Sequence, residues 1–142
     1  MTHHPFFISY ILLPAYLLIT HPFMLARKFR LPSSHIHSFK GSRYTCSYFI
    51  LLSKSSTLSH DRLAVIVSKK VSHQAVRRHQ LKRQLISAFT PYLTLPPHYD
   101  HLLIVRSHAT TTSFSSLTQP LLSAMSSLYK PPLSSPPSAA SL

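Results

Sequence analysis

Seven cationic side chains crowd one short stretch: Arg62, Lys69, Lys70, Arg77, Arg78, Lys82 and Arg83, with no acid among them. Guanidinium and ammonium groups left without carboxylate partners grip phosphates, and each phosphate neutralised releases counterions. They do not run acid–base hydrolysis. Across all 142 residues there are 15 Lys+Arg and 2 Asp+Glu, a formal net charge of +13. The two acids are Asp61 and Asp100. That excludes a paired-carboxylate hydrolase unless these two distant residues meet, and it excludes an acidic cage for a hard cation. A pI near 10.5 predicts a polyanionic partner: nucleic acid first, an anionic membrane surface second.

Other chemistry is thinly represented. The 11 histidines include only two close pairs in the central region, His35 with His37 and His98 with His101. Neither has structural-zinc spacing, so no metal site is expected. The single cysteine, Cys46, has no internal disulfide partner and no catalytic context. Serines abound, but no G-x-S-x-G elbow holds one as a nucleophile. No catalytic residue is expected on the chain itself.

The elements that position the cations are legible. Tyr48–Ser53 is a β-rich run. Leu63–Ser68 reads as a short strand buried on both faces. A helix opens near Ser72 or His73 as cap, runs to about Phe89 and stops before Pro91. His101–Arg106 is a third strand. Ser113–Tyr129 reads as a helix, kinked at Pro120 or restarted there. A short helix near Ser33–Phe39 is also indicated. Strands alternating with helices predict an α+β fold, one small mixed sheet with helices packed on it. On the central helix, at about 100° per residue, Leu81, Leu85, Ala88 and Phe89 share one face. Arg78 and Lys82 lie beside that face, and His79 and Arg83 form a second i, i+4 pair. Like charges at this spacing cost each other a few tenths of a kcal/mol, so a row without one Glu fits a surface that meets phosphate.

The two ends differ from the centre. Residues 1–23 form an apolar extension with three open readings: a membrane anchor, a signal peptide, or a segment upstream of the true start at Met24. From Lys130 to Leu142 the Pro/Ser-rich composition predicts a disordered tail. Residues 24–129 are the expected domain.

Within that domain, Ser68-Lys69-Lys70-Val71, then Ala75-Val76, then Arg78, Lys82 and Arg83 resemble the signature of the bacterial ribonuclease P protein component. His79 and Gln80 stand where that family carries Asn and Arg. Met24–Leu31 is similar to the family's basic opening. Phe39-Lys40-Gly41-Ser42-Arg43, with the strand from Tyr48, is similar to its first helix end and first long strand. Asp100–Arg106 and Ser113–Leu128 are similar to its later strand and last helix. The resemblance implies a ribonuclease P protein-like α/β sandwich with a left-handed β-α-β crossover. It also implies a cytoplasmic subunit of the endonuclease that removes 5′ leaders from precursor tRNA. The partners would be ribonuclease P RNA and precursor tRNA, with catalysis by the RNA and its Mg²⁺. Lys69, Lys70, Arg77, Arg78, His79, Gln80, Lys82 and Arg83 are then the expected RNA contacts. Phe39, Tyr44 and Tyr48 are candidates to stack on leader bases. A generic RNA-binding protein of this fold and a membrane-anchored basic protein are the alternatives.

Overall fold

A computed structural model describes residues 25–129. The apolar extension, Met24 and the Pro/Ser-rich tail lie outside these described residues. Strands β1 (Ser42–Thr45), β2 (Phe49–Ser55), β3 (Arg62–Ile66) and β4 (Tyr99–Val105) form one sheet in the order β1-β2-β4-β3. The β1–β2 and β2–β4 pairs are antiparallel, and β3–β4 is parallel. A parallel pair needs a crossover, supplied here by helix α2 (Ala75–Phe89). Helix α1 (Ser33–Ile36) precedes the sheet and α3 (Phe114–Tyr129) follows it. The expected α+β architecture, a small mixed sheet with helices on it, is the observed one.

Alternation along the strands sets the core. Phe49 and Leu51 of β2, Leu63 and Val65 of β3, and Leu103 and Val105 of β4 are buried on one face. Helix α2 covers them with Leu81, Leu85 and Phe89, and α3 with Leu117, Leu121 and Met125. The apolar stripe read from the sequence is therefore the stripe that packs. Helix α3 is continuous through Pro120, and Ser113 Oγ accepts the Ser116 N–H at 3.3 Å at its start.

Three local expectations are corrected. The strand β3 is not buried on both faces: it is an edge strand, with Arg62, Ala64 and Ile66 half-buried on the far side. The start of α2 is not capped by Ser72 or His73; Gln74 is the N-cap and makes no side-chain cap bond. The strand β1 was not expected at all, because its four residues are exposed and carry no apolar alternation.

The approach to β1 shapes the other face. The Leu31 N–H donates to the Leu63 carbonyl at 3.1 Å, tying the basic opening to the free edge of β3. By Ser42 the chain is at the opposite edge, paired with Ser53. Residues 32–41, α1 included, therefore span the sheet, about 14 Å at three strand spacings. With α2 and α3 on one face, this strap crosses the other. It accounts for Leu102, a residue of that face, being only 3% exposed while standing apart from the main core. The strap ends at the chain's single glycine. A Cβ on Gly41 would collide with the Ser53 carbonyl, so the close approach of these two backbones requires glycine there.

Candidate nucleic-acid interface

Past Ile66, the edge strand hands the chain to an exposed loop carrying Lys69 and Lys70. A turn from the Val71 N–H to the Ser68 carbonyl, 3.0 Å, holds it. In α2, His79, Gln80, Lys82 and Arg83 are exposed, whereas Arg77 and Arg78 are half-buried. Arg78 Nη1 donates to the carbonyls of Ser72 and His73, each at 2.9 Å. It thus fastens the loop to the helix. Arg77 lies about 140° round the helix from Lys82. Its Nη2 donates to the Thr110 carbonyl at 2.8 Å and its Nη1 to Gln80 Oε1 at 2.8 Å. So the expected row is brought together but divided by role. Lys69, Lys70, His79, Lys82 and Arg83 are presented to solvent, while Arg77 and Arg78 organise the backbone around them. Gln80 orients Arg77.

The open sheet face is the second part. Ile50, Leu52, Ala64, Ile66 and Ile104 are half-buried there, beyond the strap. At the end where β3 and β4 finish, this apolar surface is flanked by Lys69, Lys70 and Arg106. Arg106 Nη1 reaches the Cys46 carbonyl at 3.1 Å. The sequence reading did not single out Arg106 or the open-face isoleucines. Their signal was present, because they occupy the positions alternate to the core residues in Phe49–Ser55 and Tyr99–Val105.

The three aromatic candidates do not share a surface. Phe39 is half-buried in the strap. Tyr44 is registered with Leu51 and so belongs to the helix-covered face, its ring 6.2 Å from that of Phe49. Tyr48 is half-buried against the core at the β1–β2 turn. With β1 unrecognised, the side on which Tyr44 falls was not readable.

Both acids are spent internally, on opposite faces of the sheet. Asp100 takes a bidentate pair from Arg62 at 2.8 and 2.6 Å. Hydrogen bonding to that carboxylate holds the Arg62 guanidinium above its usual range, against the opposing pull of burial. Asp61 is fully buried. It accepts from His98 Nδ1 at 3.1 Å, the Tyr99 N–H at 3.1 Å, His101 Nε2 at 3.0 Å and the Tyr129 hydroxyl. His101 Nδ1 then accepts from Ser53 Oγ at 2.9 Å. This Ser–His–Asp array has triad connectivity, but His101 has no exposed surface and four donors converge on the one acid. It is a satisfied buried network that ties β2, β4 and the end of α3 together. The His98–His101 spacing is likewise used on Asp61. Among the described residues no cluster could hold a metal ion, and no helix is long and apolar enough to cross a membrane.

The family model described as Ribonuclease P matches residues 34–129. A ribonuclease P protein component from Lactococcus lactis is 35% identical over 88 residues, 60% of this chain and 68% of that one. Another, from Pseudanabaena sp., is 41% identical over 56 residues, 39% of this chain and about half (48%) of the relative. Among solved structures, the RNase P protein from Thermotoga maritima in complex with 1-(4-fluorophenyl)-2-thiourea superposes with a TM-score of 0.60 at 24% identity, covering 68% of this chain and 96% of that one. The Staphylococcus aureus RNase P protein gives 0.59 at 22% identity over 72% and 95%. At these identities the structural likeness speaks for the fold.

Proposed function

The chain belongs to the ribonuclease P protein family, and from that premise we propose that it binds ribonuclease P RNA and the 5′ leader of precursor tRNA in the cytoplasm. In this reading it assists removal of the leader while the RNA does the chemistry. The observation that carries it is the division of charge. Lys69 and Lys70 are exposed in the loop before α2, Lys82 and Arg83 along its middle, and the Asp61 and Asp100 carboxylates are engaged elsewhere, by the buried network and by Arg62. Such a surface attracts phosphate. With no uncommitted carboxylate, the described residues do not suit Mg²⁺, so the metal that cleavage needs falls to the RNA. The leader would lie on the open face, between the strap and the cationic end of the sheet. There Ile50, Leu52 and Ile104 offer apolar contact and Lys69, Lys70 and Arg106 offer charge.

Reconstitution tests this directly. The full chain mixed with a bacterial ribonuclease P RNA should raise the rate of precursor-tRNA cleavage at low Mg²⁺. No gain in rate or in substrate affinity refutes the reading.

A further inference from the structure

A groove of about 280 Å³ opens on the helix-covered side, where the edge strand β1 meets α3. It is lined by Ser42 and Tyr44 of β1, Leu51 of β2, and Ser123, Ala124 and Ser127 of α3. We propose that this groove takes one unpaired base of the single strand bound on the open face, stacked on Tyr44 and hydrogen-bonded by the serine hydroxyls. The proposal rests on the leader-binding reading and adds a second subsite, on the other side of β1.

Four observations converge. Tyr44 is 38% exposed as a residue, and its ring is tilted 36° to that of Phe49, which backs it. An aromatic held on a strand and open to solvent is a stacking platform for any base. The volume falls at the low end of ligand pockets, typically about 300–1,000 Å³, which suits one flat ring rather than a larger ligand. The polar lining is mostly hydroxyl: Ser123 and Ser127 stand one helical turn apart on α3, facing Ser42 of β1 across the groove. A hydroxyl both donates and accepts, so Ser123 and Ser127 serve a base edge of either polarity, while Ser42, whose Oγ donates to the Ser53 carbonyl at 3.1 Å, offers an acceptor. Charge is also complementary. Arg43 borders the groove, and neither acid lies there, since Asp61 is buried and Asp100 is on the opposite face. Phosphates flanking an inserted base would meet no carboxylate. Topology links the two surfaces as well, because β1 is the sheet edge. A strand crossing the open face toward that edge runs off it beside Tyr44.

The test uses the full chain and a single-stranded RNA oligonucleotide of leader length, in two forms: with bases throughout, and with abasic sugars at its 5′ half. Tyr44→Ala removes the platform, and Ser127→Leu fills the groove from an exposed helix position. Each should weaken binding of the base-bearing strand about tenfold, as expected for loss of one stacked base, and leave the abasic strand bound as by wild type. Tyr44→Phe should bind like wild type. Unchanged affinity in both variants overturns the subsite. So does an equal loss on both strands, which would trace to the fold or to backbone contacts. If wild type binds neither strand, the leader-binding reading itself falls and takes the subsite with it; if wild type binds and the variants follow it, only the subsite falls.

Discussion

Replacing Asp61 with alanine should be the most damaging single change in the chain short of the core itself. The carboxylate accepts from His98, the Tyr99 N–H, His101 and Tyr129. Removing it strands four donors, but not equally. The His98 side chain is 21% exposed and Tyr129 is half-buried, so both can turn toward water. His101 is fully enclosed, and the Tyr99 N–H is fixed by the β4 backbone. Two enclosed donors at about 1–3 kcal/mol each give a loss of about 4 kcal/mol. A domain of this size holds only about 5–15 kcal/mol in total. In a urea melt, with a slope of about 2 kcal/mol per molar, the midpoint should fall by about 2 M. Tyr129→Phe removes one donor and leaves three on the carboxylate, so it should cost only about 1 kcal/mol. A midpoint shift under about 0.5 M for Asp61→Ala would show that the donors rehydrate freely. The network would then not be what holds the end of α3 to the sheet.

Two further expectations follow from the site and the strap. Lys82→Ala should flatten the slope of log affinity against log salt by about 0.7–0.9 without moving the melting temperature, whereas Arg78→Ala should lower both affinity and Tm because Arg78 fastens the Ser72 and His73 carbonyls; titrations of ribonuclease P RNA at several salt concentrations and a thermal melt check this. Gly41→Ala should destabilise by about 1–3 kcal/mol, since its Cβ meets the Ser53 carbonyl and the strap must shift; a wild-type Tm would show that β1 yields at no cost.

What the sequence disclosed depended on how much apolar patterning each element carried. Helix α2 was readable to its last residue because Leu81, Leu85 and Phe89 recur at helical spacing and Pro91 follows. The cation row was readable because no acid interrupts it. By contrast, Ser42–Thr45 is a strand only through its hydrogen bonds to β2, and nothing in those four side chains announces it. The side of the sheet on which Tyr44 falls was therefore not readable either. The half-exposure of β3 was hidden because Leu63–Ile66 is apolar throughout, and only the strand order puts it at an edge. The dual use of the arginines was equally hidden. Charge type predicts attraction to phosphate, but whether Arg77 and Arg78 reach outward or fold back onto carbonyls depends on where Thr110 and Ser72 end up. The Asp61 network draws residues 28 to 68 positions apart in sequence onto one another, a convergence no local pattern carries.

Spending both carboxylates indoors leaves the exterior a polyelectrolyte of one sign. Neighbouring cations repel one another in the free protein, and mobile anions screen them. Folding and the proposed complex would therefore answer ionic strength in opposite directions: added salt calms the isolated chain while it would loosen a hold on RNA. On the proposed reading, the nucleic acid would also serve these cations as counterion.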